Sequence, residues 1–326
     1  MRFLLCHPTL TPVSVATTTA PATLARNSNA ATASRNSQFS WIEDLKPLTL
    51  RYGVRIPQVN SNHPFITHHF WGATPVKLRT NRAKQKLANG EVVTIVSGIT
   101  HADDIDAVGP MGFDGIWFEG EHGATEAGEL GNLTRACDLW GMTSVARVNL
   151  NEQGLIYRTL DRGAQSIVVP HVNNAAEAQN VVDGGKFTPI GKRGMFTSRQ
   201  GLGVENYFDQ ANDESLLVIL LEDIIAWENL DEILEVEGID VFFVAPSDFA
   251  ASMGHMGDLT HPDVVEKIND SLKRIVAAGK HAGALATNEN VAAYVEMGVR
   301  FFMTGAGPWI ANGYNQFVAN ANSGKK

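Results

Sequence analysis

From about residue 77 onward the chain repeats one unit: a short β-branched or apolar run, then an amphipathic helical stretch, then another such run. A parallel sheet needs that alternation, because its strands are buried on both faces and its crossovers are helical. The runs are VTIVS (93–97), IWFEG (116–120), SVARV (144–148), SIVVPH (166–171), LVILLE (217–222), VFFVAP (241–246), AGALA (282–286) and FFMTG (301–305). Helical stretches between them, such as HPDVVEKINDSLKRIVAAG, end at Gly141, Gly163, Gly279 and Gly298, where a left-handed cap residue is expected. Eight such strands favour a closed (β/α)8 barrel over an open sheet, and single barrels of this kind run to about 250 residues. No GxGxxG follows the first strand and no GxxxxGK[ST] occurs, so dinucleotide and P-loop readings lack their defining loops.

Composition narrows the partners. Hydrophobic residues make up 44% and charged residues 19%, the balance of a globular chain. A net charge of −9 with no dense Lys/Arg cluster argues against nucleic acid, whose binding needs a basic stripe. No apolar run approaches the roughly 20 residues that span a bilayer, so no membrane partner is expected. Two cysteines, Cys6 and Cys137, exclude a disulfide framework and fit a reducing compartment. Cys137, within LTRACDLW, reads as a buried small hydrophobe.

The start of the chain differs. Residues 1–42 are rich in Ala, Thr, Ser and Asn, carry Arg2, Arg26 and Arg35, and contain no acid. They read either as an organellar transit peptide or as a disordered tail, so the expected location is an organelle in the first case and the cytoplasm in the second. Residues 43–76 form an N-terminal extension with His63, His68 and His69, whose expected role is surface or subunit contact rather than metal binding. The barrel itself is assigned to 77–326.

Barrel chemistry sits at the carboxyl ends of the strands. There the sequence places Glu119-Gly120-Glu121-His122, Arg147, Pro170-His171, Glu222-Asp223 and Ala245-Pro246-Ser247-Asp248. Singly each has an ordinary explanation: a carboxylate after a strand is commonly a helix cap, and a lone histidine is commonly a core residue. Their convergence on one mouth is the signal. Glu222 and Asp248, on adjacent strand ends, make a hard oxygen site suited to Mg²⁺ or Mn²⁺, with Co²⁺ a further fit. Such a half-open shell can polarise a substrate carbonyl. His122 reads as the general base, with Glu119 or Glu121 orienting its ring, and Arg147 as a fixed cation for a carboxylate or enolate oxygen. A Schiff-base route would need a lysine inside the barrel. The eight runs contain none, and Lys186 and Lys192 read as solvated loop residues.

Over about three quarters of the chain, the stretches GFDGIWFEGEHG, VARVN, IVVPHVNNAAEAQNVV, GKRGMFTSR, LEDIIAWENLDEIL, VEGIDVFFVAPSDFAASMG and HPDVVEKI resemble the HpcH/HpaI family of class II pyruvate aldolases. The resemblance implies metal ligation by Glu222 and Asp248, contact of Arg147 with the pyruvyl oxygen, and a base role for His122 through a water. It also implies a carboxylate pocket around Ala245 and Ser247. The implied reaction joins or splits a pyruvate-like 2-oxo acid and an aldehyde within a homo-oligomer, trimer or hexamer, whose last barrel helix is exchanged between subunits. His171 resembles a histidine of macrophomate synthase and could meet a second carbonyl or acidic group; Arg193 either braces its loop or reaches an anionic substrate. Three positions depart from the family pattern: Glu119 replaces Asp, Leu220 replaces Gln and Ala245 replaces Gly. They keep open an oxaloacetate-type decarboxylase, a CoA-thioester lyase, or a catalytically weak barrel with a binding role.

Overall fold

The computed structural model describes residues 76–324. The 1–42 segment and His63, His68 and His69 lie outside that range. Its first half contains α1 (Arg82–Ala88), β1 (Val93–Ser97), α2 (Ala102–Val108), β2 (Gly115–Glu119), α3 (Ala127–Leu139), β3 (Thr143–Arg147), α4 (Gln153–Asp161), β4 (Ser166–Val169), α5 (Ala175–Gly185) and α6 (Tyr207–Glu214). The second half contains β5 (Leu216–Leu221), α7 (Ile224–Glu228), α8 (Leu230–Leu234), β6 (Val241–Val244), α9 (Pro246–Ser252), α10 (Pro262–Ala277), β7 (Ala282–Leu285), α11 (Val291–Met297), β8 (Phe301–Gly305) and α12 (Gly307–Ser323). All eight strands pair in parallel and in sequence order, and β8 closes on β1. The expected (β/α)8 barrel is what forms.

Each expected strand is present. Several stop one or two residues earlier than the apolar runs, for a local reason. After β4 comes Pro170, which has no N–H for the ladder, and after β6 Pro246 takes the first position of α9. The four cap glycines all adopt positive φ, from +60° at Gly141 to +107° at Gly163. A side chain there would be strained.

Strand parity divides the core in two. Val93, Ile95, Trp117, Val145, Val168, Leu216, Val218, Leu220, Val241, Phe243 and Phe301 fill the barrel interior, and α1 adds Ala83 and Leu87 to the same cluster. The alternate residues, among them Ile167, Val169, Leu217, Ile219, Leu221, Phe242 and Val244, pack outward against the helices. Counting by twos from the inward set reaches Glu119, Arg147, Glu222 and Ala245. The chemistry therefore continues the inward phase of the packed strands.

The opposite end is held by charge. Asp114 takes ion pairs from Arg82 at 3.0 Å and Lys86 at 2.8 Å, which tie α1 to the start of β2. Lys186 corrects its sequence reading: its side chain is buried, donating to Asn212 O at 2.8 Å, with Asp240 at 3.7 Å. Burial pushes its ammonium down to about 8, against the pull of Asp240. It sits beside the starts of β5 and β6, at the end away from the catalytic face, so it does not revive a Schiff-base route. Lys192 is exposed, as expected, and pairs with Asp183 at 2.6 Å. Cys137 is buried, also as expected.

Phe301 is fully buried in the interior stack, its ring 6.3 Å from that of Phe243. Phe301→Ala is expected to lower unfolding free energy by about 3–5 kcal/mol, read by urea denaturation. A loss below about 1 kcal/mol would show that the interior stack does not hold the barrel.

Candidate active site

At the carboxyl end of the strands, a cavity of about 160 Å³ opens between β2, β3, β5, β6, β7 and β8. Its floor is apolar, with Trp117, Leu220, Phe243, Leu285 and Met303; its polar wall carries His122, Arg147, Glu222, Ser247 and Asp248. Ala245 and Pro246 complete the rim. Of the residues singled out in sequence, six line this cavity.

Glu222 is the most constrained of them. Its side chain is 1% exposed. Oε1 accepts the backbone N–H of His171 at 2.9 Å, whereas Oε2 is buried without any hydrogen-bond donor. Burial pushes its carboxyl above the ordinary range; the His171 N–H and the charges of His171 and Arg147 pull the other way, and Glu121 adds to the rise. A buried acceptor left bare is costly, and native structures rarely tolerate one without an ion or water. Asp248, half-buried in the first turn of α9, faces the same cavity. The pair fits a hard divalent cation by donor chemistry and by the bare Oε2.

Arg147 is held from two sides. Its Nε donates to Glu119 Oε1 at 2.9 Å, and its Nη2 lies 2.8 Å from Glu121 Oε2 in an ion pair whose direction makes no hydrogen bond. The guanidinium is thereby fixed at the cavity wall. Burial opposes ionisation of Glu119, but Arg147 and the N–H groups of Glu121 and His122 outweigh it and hold the carboxyl below its usual value. Glu119 also accepts from Trp117 Nε1 at 3.2 Å. This corrects one expectation. Glu119 orients Arg147 and the loop backbone, not the His122 ring. The carboxylate near that ring is Glu121, whose Oε2 lies 3.9 Å from His122 Nε2. Gly120 permits the turn: a Cβ there would come within 2.4 Å of the Arg147 carbonyl oxygen.

His171 occupies the left-handed region at φ +51°, a conformation that L residues adopt at some cost and that marks sites under constraint. The turn aims its N–H at Glu222 and its Nδ1 at Asp223 Oδ2, 2.9 Å away. Asn173 braces Asp223 from the other side at 3.0 Å. Burial lowers the affinity of this ring for a proton, but the Asp223 bond and the charges of Glu222, Asp223 and Glu121 reverse the sign, leaving its pKa raised. The ring opens on a neighbouring cleft with Asn149, Leu150, Asn174 and Glu177 rather than on the cavity.

Arg193 is elsewhere. Its buried guanidinium pairs with Asp161 at 2.7 Å, at the last turn of α4, and stacks 4.4 Å over Phe187. Helices of the barrel end opposite the mouth, so Arg193 braces its loop and does not reach the cavity. Sequence reasoning underweighted Glu121 and did not assign Asp223 a role. The run Glu119-Gly120-Glu121-His122 already put Glu121 at a strand end, but its burial against Arg147 is a tertiary fact.

The sequence profile of the HpcH/HpaI aldolase/citrate lyase family matches residues 96–316. This chain belongs to that family. As a member it is a carbon–carbon lyase of the aldolase type. A curated relative, the 2-keto-3-deoxy-L-rhamnonate aldolase of Escherichia coli O17:K52:H18 (strain UMN026 / ExPEC), is 35% identical over 258 residues, covering 76% of this chain and 96% of the relative. The solved HpcH/HpaI aldolase/citrate lyase family protein of Burkholderia cenocepacia J2315 superposes with a TM-score of 0.70 at 26% identity, over 74% of this chain and all of the other. Macrophomate synthase shares the fold at a TM-score of 0.66 and 21% identity, over 76% of this chain and 90% of its own.

The bare Oε2 makes a prediction. Mg²⁺ should raise the thermal midpoint of the wild type, by an amount equivalent to about 2.7 kcal/mol at a hundredfold excess over Kd. Glu222→Gln should abolish that rise without lowering the metal-free midpoint. A metal-induced rise that survives the substitution removes Glu222 from the site.

Proposed function

We propose that the protein is a divalent-metal-dependent aldolase that makes or breaks the C3–C4 bond of a 4-hydroxy-2-oxo acid, with a pyruvate-like 2-oxo acid and an aldehyde as its partners. One observation carries this reading: Glu222, whose buried Oε2 has no hydrogen-bond donor, lines a cavity shared with Asp248, Arg147 and His122. The name of the curated relatives, an aldolase of a 2-keto-3-deoxy acid, supports the substrate class.

Glu222 and Asp248 would hold the ion, with Mg²⁺ or Mn²⁺ the best match to two carboxylates and Co²⁺ also compatible. When bound, the ion would supply Lewis-acid polarisation of the 2-oxo group. Arg147, fixed by Glu119 and Glu121, presents a planar cation where negative charge develops on the 2-oxo oxygen. In cleavage, His122 accepts the 4-hydroxyl proton, directly or through a water. The O–H electron pair becomes the aldehyde C=O, and the C3–C4 pair moves to C3 as an enolate. C3 is then reprotonated to give the 2-oxo acid. Ser247 and Ala245 stand at the rim where the substrate carboxylate would lie, and the Ala245 methyl narrows that approach. The apolar floor of Trp117, Leu220, Phe243 and Met303 excludes water from the reacting carbons and strengthens each charge contact.

Exchange of pyruvate methyl protons into D₂O isolates the enolate step. It is expected with Mg²⁺ or Mn²⁺, abolished by EDTA and by Asp248→Ala, and slowed by roughly 10²–10³ in Arg147→Ala with metal affinity kept. No exchange with any divalent metal would sink the enolate mechanism. Pyruvate release from a panel of 4-hydroxy-2-oxo acids then identifies the acceptor.

The same reading includes a homo-oligomer. Helix α12 has no Asp, Glu, Lys, Arg or His over its 17 residues and no buried residue, and it exposes Ile310, Tyr314, Phe317 and Val318. An apolar face of that kind needs a cover, and a second copy of this chain supplies one of matching chemistry. Light scattering after gel filtration is expected to show a trimer or hexamer, reduced in mass by Tyr314→Glu with Phe317→Glu. A monomeric wild type at micromolar concentration overturns this.

A further inference from the structure

The loop between α9 and α10 assembles a donor set unlike that of the mouth. His255, His261 and Asp263 offer ligand atoms that all lie within 4.8 Å of one another, the one such group of three among the described residues. Local structure brings them together. Gly254 and Gly257, at φ +84° and +77°, turn the chain on either side of His255, whose N–H closes on Ala250 O at 2.8 Å. His261 is the N-cap of α10, followed by Pro262 at the first helical position.

The two imidazoles stack with centroids 3.6 Å apart and planes 19° from parallel. His261 Nδ1 accepts the Asp263 N–H at 3.3 Å, a long bond that the ring would give up in turning that lone pair to an ion. Asp263 Oδ2 lies 3.9 Å from the same Nδ1. A further carboxylate, Asp258, is held by Thr260 through Oδ1 and feels the charges of both histidines.

We propose that His255, His261 and Asp263 form a second divalent-metal site, separate from the barrel mouth. Two imidazoles and a carboxylate suit Zn²⁺, Ni²⁺ or Cu²⁺, whereas the mouth offers oxygen to harder ions. Metal bonds of about 2.0–2.2 Å require the donors to close and the rings to tilt out of their stack, so that their lone pairs converge. Both motions are side-chain rotations. Asp263 is largely exposed and His255 and His261 are only partly buried, so no core contact has to break. The positive end of α10 opposes a cation here, and the carboxylates of Asp263 and Asp258 offset it. The bound ion would clip the loop that follows α9, the helix carrying Asp248, onto α10. The site stands on its own residues and not on the aldolase reading.

The test is calorimetric titration of Zn²⁺ into the EDTA-treated, dialysed full chain with Mg²⁺ in excess. Because His63, His68 and His69 also carry imidazoles, the readout is the difference between wild type and variants. His255→Ala, and independently His261→Asn, which keeps a capping oxygen, are each expected to lose one equivalent of micromolar Zn²⁺. Asp248→Ala is expected to retain it. Co²⁺ at the same site should give visible d–d absorption that His255→Ala removes. Equal zinc stoichiometry and affinity in wild type and His255→Ala overturns the proposal, whatever the outcome of the D₂O exchange experiment.

Discussion

A buried carboxylate oxygen with no hydrogen-bond donor is the constraint around which the rest of the mouth is built. Glu222 Oε2 is that atom. The raised pKa of its carboxyl measures how poorly the protein alone satisfies the charge. The strained turn at His171 delivers one N–H to the other oxygen, and Asp223 and Asn173 hold that turn in place. The left-handed backbone at His171 and the inward phase of β5 together hold this carboxylate at the mouth.

Much of this was legible in the chain because it follows from parity. The period-2 alternation that buries Val145, Leu220 and Phe243 inside the barrel also dictates that Arg147, Glu222 and Ala245, two residues on, face the same lumen. Strand count and order were equally readable, since glycine caps and apolar runs are local signals. Arg193, Lys186 and the role of Glu119 were not. Their partners, Asp161, Asp240 and Arg147, lie 32, 54 and 28 residues away, and no local pattern distinguishes a buried brace from a solvated loop cation. Parity says where a side chain points; it does not say which of several carboxylates an arginine will choose.

That choice bears on the departure at Glu119. Its longer side chain reaches Arg147 Nε while the same oxygen caps two loop N–H groups, so the carboxylate is committed to the arginine and to the backbone. The His122 ring then has Glu121 as its nearest acid, 3.9 Å away. That same Glu121 oxygen pairs with Arg147 Nη2 at 2.8 Å, so proton movement at His122 and the positioning of Arg147 meet on Glu121, while Glu119 serves the arginine and the backbone alone. Leu220 and Ala245 act on the substrate side only, making the floor more apolar and the rim tighter.

Charge balance matters at this mouth. Glu119 and Glu121 both pair with Arg147, the fixed cation of this wall, while Glu222 and Asp248 line the same cavity. Inside a low-dielectric cavity such an excess of carboxylates repels an incoming 2-oxo acid, and the repulsion is strongest where the wall is driest. Arg147 cannot offset it while it is paired on both sides. If Glu222 and Asp248 hold a divalent ion as proposed above, its charge would offset this repulsion toward the acid. The same imbalance explains why the histidine nearest the cluster, His171, holds its proton more tightly than a free imidazole does.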